Sequence, residues 1–104
     1  MGSRFSNLRA TDGEELTVAT SGTPVQGSDI QVPKGIELLI TADIDNTGTV
    51  TIASTSAGAL NTNTTGKKLL PGQEVGLLMT NRNKVFADST VSGDKVRLFA
   101  EFGG

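Results

Sequence analysis

The residues of this chain that could do chemistry are mainly its carboxylates. The sequence has no histidine and no cysteine, so the usual general base, the thiol nucleophile and the imidazole and thiolate metal ligands are absent. Asp43 and Asp45 can lie on one side of a strand end, with Asp88 or Asp94 near them. Such a group could hold Ca²⁺, which prefers oxygen ligands, but an aspartate beside a strand ordinarily bonds its own backbone in a turn. We therefore predict no catalytic residue and no metal site, and keep Ca²⁺ binding as an alternative.

Two further patterns could bind charged ligands. Lys67 and Lys68 form the only adjacent basic pair, and they could meet an acidic partner surface or belong to a solvated loop end. Gly72 directly follows Pro71, and Gly35 lies two residues after Pro33. A phosphate-binding glycine loop needs a following helix N-terminus to supply backbone amides. No segment with a helical period of about 3.6 residues follows either glycine. The sequence therefore predicts a non-enzymatic protein with no cofactor and no small-molecule substrate.

Composition argues against two classes of partner. A formal charge of −2 disfavours nucleic acid, because nucleic-acid binding is driven by the neutralisation of phosphates. No apolar run approaches the length of about 20 residues that a membrane-spanning helix needs. The chain also has no tryptophan and no tyrosine, the aromatic residues on which sugars usually stack. A small carbohydrate- or Ca²⁺-binding β-sandwich module stays open as a second alternative function.

Short strands must position these groups, because apolar and polar residues alternate along much of the chain. The alternation predicts about seven strands separated by turn residues, in residues 15–20, 25–32, 36–42, 50–52, 73–80, 84–89 and 95–102. Leu38 and Ile40 share one face of the third strand, and Val96 and Leu98 share one face of the last. The sequence therefore predicts an all-β fold, a small antiparallel β-sandwich or barrel that is jelly-roll-like.

Residues 32–53 carry the most regular of these patterns. Two alternating runs flank residues 45–48, whose sequence Asp-Asn-Thr-Gly tolerates positive φ and can close a tight connection. The stretch therefore predicts a β-hairpin at the centre of the fold.

The chain length of 104 residues predicts one domain preceded by an arm. Residues 1–14 show neither strand nor helix period and are predicted to form an extended N-terminal arm. Residues 15–104 are predicted to form the single β-sandwich domain. Within it, residues 54–65 are small and polar and predict a long surface loop, the kind of segment that often carries contacts.

Apolar residues on the outward sides of the predicted strands are the main sign of a binding surface. Leu39, Leu78, Phe86 and Phe99 lie opposite the inward-facing sets, which implies either a second sheet packed on them or a neighbouring subunit. The arm and the loop region supply further candidates. The predicted partner-binding residues are Phe5, Leu8, Arg9, Leu39, Leu60, Lys67, Lys68, Leu78, Phe86 and Phe99.

Several turn motifs occur in an order that resembles a known family. They are residues 32–35 (Val-Pro-Lys-Gly), the run at 36–42, residues 45–52 (with Asn-Thr-Gly-x-Val-x-Ile), residues 69–75 (Leu-Leu-Pro-Gly-Gln-Glu-Val), residues 85–89 (Val-Phe-Ala-Asp-Ser) and residues 93–96 (Gly-Asp-Lys-Val). Over about residues 30–102, this order resembles small virion proteins of tailed bacteriophages, and among them capsid decoration (cement) proteins that stabilise the head.

The resemblance implies a structural role in the virion. It implies a β-rich homo-oligomer, a trimer or a dimer, that is made in the host cytoplasm and binds the major capsid protein on the outer capsid surface. It also implies an N-terminal arm that reaches across capsid subunits. The first alternative is a tail, head–tail junction or fibre component that contacts neighbouring virion proteins or the host, because similar β-modules occur there.

Overall fold

Eight short strands form most of the regular structure in residues 13–100, the part of the chain that this computed structural model describes. The strands are β1 (Gly13–Thr17), β2 (Val25–Gln26), β3 (Glu37–Ala42), β4 (Val50–Ala53), β5 (Lys67–Leu69), β6 (Glu74–Leu78), β7 (Phe86–Ser89) and β8 (Lys95–Ala100). A four-residue helix α1 (Ser56–Ala59) and a 3₁₀-helix (Arg82–Lys84) complete the elements. The described residues contain no helix that is long and apolar enough to cross a membrane. The strand β5 is the one that the sequence did not predict.

The strands form two antiparallel sheets of four strands each. Sheet 1 has the order β1–β8–β3–β6, and sheet 2 has the order β2–β7–β4–β5. Along the chain, consecutive strands alternate between the two sheets except at β4 and β5, which pair with each other. Eight strands in this arrangement form a jelly roll, so the predicted all-β, antiparallel, sandwich-like fold class is confirmed.

The predicted hairpin in residues 32–53 is wrong. β3 lies in sheet 1 between β6 and β8, whereas β4 lies in sheet 2 between β5 and β7. The turn between them crosses from one sheet to the other. Alternation and turn residues are the same for a hairpin and for such a crossing, so the local pattern could not distinguish them.

The core lies between the sheets and consists of the inward-facing residue of each alternating pair. Leu38, Ile40, Val96 and Leu98 of sheet 1 are fully buried and pack in one cluster with the inward residues of sheet 2. The sheet 2 members of that cluster are Val50, Ile52, Leu69 and Ala87. Burial of one leucine or isoleucine side chain contributes about 1.5–3 kcal/mol, so these inward sets supply the main stabilisation of the fold.

Residues 54–66 connect β4 to β5 and cover the outward side of sheet 2. Residues 54–65 were predicted to be a surface loop, but they contain α1. The helix begins after Thr55, whose Oγ1 accepts a hydrogen bond from the Gly58 backbone N–H at 3.0 Å. The helix packs against β4 and β7, and Ala59 is fully buried. We call residues 54–66 the covering segment.

β1 begins no later than Gly13, so Gly13 and Glu14 lie in the sheet rather than in the predicted arm. Glu14 faces inward: a carboxylate oxygen lies 3.6 Å from a guanidinium nitrogen of the buried Arg82, and the carboxylate accepts hydrogen bonds from the backbone and hydroxyl of Ser28. Glu15 faces outward, as alternation requires. The rest of the predicted arm, residues 1–12, lies outside the described residues.

Candidate functional site

The fold distributes the predicted partner-binding residues over two separate surfaces. Leu39, Leu78 and Phe99 lie on the outward side of sheet 1. The other described candidates belong to the side of sheet 2. They are Leu60 in the covering segment, Lys67 and Lys68 on β5, and Phe86 on β7. Phe5, Leu8 and Arg9 lie outside the described residues. The candidates therefore do not form one continuous site within residues 13–100.

The outward side of sheet 1, which we call the sheet 1 face, has an apolar centre. The strand registers place Gly13, Phe99, Leu39 and Gly76 side by side in one row across all four strands. Phe99 and Leu39 are partly buried; the Phe99 ring lies against Gly13, and the Glu37 carboxylate lies over Gly76. A shallow concavity of about 450 Å³ is lined by residues of this row and of the adjacent row. Leu78, on the same face, is 74 % exposed.

Charged residues surround this apolar centre unevenly. Arg97 donates to Asp43 at 3.0 Å and lies 3.7 Å from a carboxylate oxygen of Glu15, so its charge is already balanced on the domain. Glu74 lies at the β6 end of the row that contains Arg97, and Glu37 lies on the other side of the apolar row. Both are exposed, and neither has a basic side chain within 4.0 Å in residues 13–100. The β3–β6 half of the sheet 1 face therefore carries uncompensated negative charge.

Sheet 2 offers no comparable open face, because the covering segment is bonded down onto it. The Lys68 ammonium donates to the Thr51 hydroxyl at 2.7 Å and to the backbone carbonyls of Asn63 and Asn61 at 2.9 and 3.2 Å. Lys68, one of the predicted partner-binding residues, thereby fixes the covering segment to β4. Lys67 is exposed beside it.

Asp88 forms the second attachment of the covering segment. It is fully buried on the outward side of β7 and accepts hydrogen bonds from three backbone N–H groups. The donors are Asn61 at 2.8 Å, Gly22 at 3.0 Å and Ser89 at 2.8 Å. The Asp88 carboxylate thereby connects β7, the β1–β2 turn and the covering segment. Its role is structural.

Two further aspartates, Asp43 and Asp94, hold the turn between β3 and β4. Asp43 accepts from the backbone N–H of Asp45 at 2.9 Å, and Asp94 accepts from the backbone N–H groups of Thr47 and Gly48 at 3.2 and 3.0 Å. Asp43 therefore bonds its own turn, as the turn interpretation predicts, whereas Asp94 bonds a turn that is distant in the sequence. Within residues 13–100, no group of three or more histidine, cysteine, aspartate or glutamate side chains is placed to hold a metal ion.

Replacing Asp94 by alanine is expected to lower the free energy of unfolding by about 2 kcal/mol, because the two turn amides and the Ser89 hydroxyl, which donates at 2.6 Å, lose their acceptor. Urea denaturation followed by circular dichroism measures the change. The control is Asp45→Ala in the same turn, where the exposed side chain makes no hydrogen bond within residues 13–100 and a change below about 0.5 kcal/mol is expected. Equal effects of the two variants would contradict the assigned role of Asp94.

Sequence reasoning missed a set of exposed apolar residues at one end of the sandwich. Ile44, Leu70 and Val91 are 71 %, 55 % and 37 % exposed and lie in the turns β3–β4, β5–β6 and β7–β8. The turns adjoin one another: an added Cβ on Gly72 would lie 2.8 Å from Ile44, and one on Gly48 would lie 2.8 Å from Val91. The available signal was a large apolar residue inside each turn-forming stretch, where polar residues are usual.

Comparison with known proteins does not identify the chain. No protein-family model, no curated protein and no solved structure matches it. The grounds for a function are therefore the residues of this chain, their geometry and the order of its motifs.

Proposed function

We propose that the chain is a capsid decoration protein of a tailed bacteriophage, a non-enzymatic virion component that binds and bridges major capsid subunits and thereby stabilises the head. The observation that carries the binding role is the sheet 1 face. Within residues 13–100 its apolar centre, Leu39 and Phe99 with the exposed Leu78 beside them, has no covering segment, whereas residues 54–66 cover the equivalent side of sheet 2.

The polar chemistry of the chain supports binding over catalysis. The buried aspartates, Asp88 and Asp94, accept hydrogen bonds from turn and loop amides, and Lys68 donates to the covering segment. These groups hold the fold in shape and are therefore not positioned to act on a substrate. The sequence has no histidine and no cysteine to replace them.

The location on the capsid rests on the order of the turn motifs between residues 30 and 102. Their positions in the fold are compatible with a common scaffold: residues 69–75 include the β5–β6 turn, and residues 93–96 lead into β8. The tail or fibre alternative shares this support, and an experiment on particles must separate the two.

The test is binding to expanded capsids that lack the protein. The full chain is expected to decorate them to saturation, and a chain without residues 1–12 is expected to lose at least about 100-fold in affinity, since it would lack the apolar and basic side chains Phe5, Leu8 and Arg9. The truncation stops at residue 12 because Gly13 and Glu14 belong to β1. Co-sedimentation with capsids measures binding, and circular dichroism reports whether the β-domain is intact.

The matched control keeps the arm and changes only its small polar residues, as in Ser3→Ala combined with Ser6→Ala, and is expected to bind like the full chain. Full decoration by the truncated chain would overturn the role of the arm. Failure of the full chain to bind capsids would overturn the decoration function. Particle images then decide the alternative, because a tail component is confined to the tail, whereas a decoration protein covers the capsid surface.

A further inference from the structure

The edge of sheet 1 at β6 has no neighbouring strand in the described part of the chain. β6 (Glu74–Leu78) is the last strand in the order β1–β8–β3–β6, so it pairs with β3 on one side only. Its five residues include no proline and no lysine, the residues that commonly protect an edge strand from pairing. β1, at the opposite edge of sheet 1, carries two adjacent carboxylates, and the edge strands of sheet 2 have only two and three residues. The open edge of β6 is therefore the least protected edge of the sandwich within residues 13–100.

The backbone of β6 presents unpaired groups to this open edge at alternate residues. The Ala42 N–H donates to the Gln73 carbonyl at 2.9 Å, so in this antiparallel ladder Gln73 and the odd-numbered residues after it bond to β3. The even-numbered residues, Glu74, Gly76 and Leu78, therefore turn their N–H and C=O groups to the open edge. An extended segment of another chain would pair with these groups as a fifth strand of sheet 1.

The outward side chains along β6 determine what such a segment must carry. Leu78 is exposed, the Glu37 carboxylate lies over Gly76, and Glu74 is exposed at the other end of the strand. Side chains directly opposite each other on adjacent strands interact, and opposite charges stabilise the pair. A matching segment therefore places an apolar residue opposite Leu78 and a basic residue opposite each of the two carboxylates.

The inward side of the same edge requires apolar residues. Val75 and Leu77 are partly buried and pack against the core cluster. Residues of an added strand that lie beside them would face the core in the same way. Antiparallel pairing is the more stable of the two directions. From the residue opposite Leu78 to the one opposite Glu74, the matching segment is therefore apolar, apolar, basic, apolar and basic.

Pairing of β6 with the β6 strand of a second copy is unfavourable. The antiparallel register that pairs all five residues of both strands is centred on Gly76. It would bring the two Glu37 carboxylates, each of which lies over its own Gly76, against each other. Like charges at directly opposite positions destabilise a strand pair, so this edge disfavours self-association.

The basic residues of this chain do not supply the matching segment either. Basic residues two positions apart occur only at Arg82 with Lys84 and at Lys95 with Arg97. Arg82 is buried, and Lys95 and Arg97 lie on β8, which is already paired with β1 and β3. The matching segment therefore belongs to a different protein.

We propose that the open edge of β6 binds an extended segment of another protein as an added antiparallel strand, and that the outward residues of this segment are apolar, basic and basic. The segment would lie beside the apolar centre of the sheet 1 face. Only the identity of the other protein rests on the proposed function, which makes it the major capsid protein.

The test is a titration of the full isotope-labelled chain with two capped peptides, followed by nuclear magnetic resonance. One peptide is Thr-Leu-Val-Lys-Val-Lys-Thr, and the other has glutamate in place of both lysines. The lysine peptide is expected to shift the amide resonances of Glu74, Gly76 and Leu78, and to bind at least about 10-fold more tightly than the glutamate peptide.

Charge-reversed variants of the protein test the pairing of charges. Glu37→Lys with Glu74→Lys is expected to reverse the preference, so that the glutamate peptide binds more tightly. The matched control, Asp29→Lys with Asp45→Lys, makes the same change of charge at exposed carboxylates outside β3 and β6 and is expected to keep the preference for lysine. Circular dichroism reports whether each variant retains the fold.

Backbone methylation of the lysine peptide, tested on the unchanged protein, distinguishes edge pairing from binding on the sheet 1 face. In the proposed register the N–H of the first lysine points to β6, whereas the N–H of the valine between the lysines points away. Methylating the lysine nitrogen is therefore expected to weaken binding at least about 10-fold, and methylating the valine nitrogen less than about threefold. Equal effects of the two methyl groups would overturn the added strand.

Other results would also overturn the proposal. Equal binding of the lysine and glutamate peptides, or shifts confined to residues outside β6, would exclude the assigned pattern. A chain that binds the lysine peptide only after removal of residues 1–12 would have its edge occupied by its own N-terminal residues. A chain that binds it only on dilution would have its edge occupied by a second copy.

The peptide test is independent of the capsid test because no capsid is present. Peptide binding as expected by a chain that does not decorate capsids would overturn the proposed function and leave the site at the β6 edge standing. Full decoration by a chain that binds neither peptide would overturn the β6 site and leave the proposed function standing.

Discussion

Replacing Asp88 by alanine is expected to lower the free energy of unfolding by about 3–5 kcal/mol, since three backbone N–H groups lose their acceptor at a fully buried position. The effect exceeds that of an ordinary surface aspartate because water does not reach Asp88 to replace the carboxylate. Urea denaturation measures the loss of stability. Limited proteolysis within residues 54–66 should also become faster, because the Asn61 amide is no longer held.

The isosteric variant Asp88→Asn separates hydrogen bonding from packing. Its side-chain oxygen can still accept from Gly22 and Ser89, but its NH₂ group would face the Asn61 N–H, donor against donor. We therefore expect the free energy of unfolding of the Asp88→Asn chain to lie between those of the wild-type and Asp88→Ala chains. If Asp88→Ala changes stability by less than about 1 kcal/mol, the carboxylate is not the attachment of the covering segment.

Replacing Gly27 by alanine is expected to destabilise the fold by about 3 kcal/mol through overpacking. The new Cβ would lie 2.3 Å from the backbone carbonyl oxygen of Arg82 and 3.1 Å from a methyl group of Leu98. A backbone carbonyl cannot rotate away as a side chain can, and the Gly27 N–H also bonds the Val85 carbonyl at 3.0 Å, so the two segments would have to separate. Thermal and urea denaturation measure the loss.

The matched substitution is Gly13→Ala in sheet 1, where the Leu98 carbonyl oxygen lies 3.6 Å from the new Cβ. Its Cβ would meet the Phe99 ring at 3.3 Å, and a ring can shift by the few tenths of an ångström required. A change within about 1 kcal/mol is expected there. Equal and small effects at both glycines would show that the close approach of Gly27 to Arg82 is not a constraint on the fold.

The burial of alternate residues could be predicted from the sequence, because the side-chain period of a strand is a local property. Leu38 and Ile40 on β3, and Val96 and Leu98 on β8, face the core as the alternation predicts. The pairing of the strands could not be predicted in the same way. Whether the turn after β3 returns to the same sheet or crosses to the other depends on which distant strands compete for the edges of β3.

Two other features were hidden because the residues that carry them resemble loop residues. Arg82 stands between two asparagines and suggests an exposed turn, but its side chain is only 2 % exposed and lies close to Glu14, a residue 68 positions earlier in the sequence. The covering segment is attached through its backbone, by the Asn61 N–H to Asp88 and by the Asn61 and Asn63 carbonyl oxygens to Lys68, so it needs no large apolar side chains. Long-range hydrogen bonds of this kind leave no periodic signal in a sequence.

The candidate site was predictable only in part, for a related reason. Leu39 and Phe99 were identified as outward-facing from the alternation of side chains along each strand, and the register places them side by side. Phe86 is also outward-facing by this alternation, but it lies on the other sheet, with Gln26 and Ala53 as its cross-strand neighbours. The alternation shows on which side of its own strand a residue lies, whereas the assignment of strands to sheets determines which residues share a surface.

The order of strands in sheet 1 also determines when the protein can fold during its synthesis. β8, the last strand of the described fold, lies in an inner position, hydrogen-bonded to β1 on one side and β3 on the other. Until residues 95–100 have left the ribosome, β1 has no neighbour in sheet 1, and the inward side chains of β1 and β3 lack the β8 residues that pack beside them. Pairing between strands so distant in sequence is slow. A nascent chain therefore keeps its core exposed until β8 arrives, and the two sheets close in one late step.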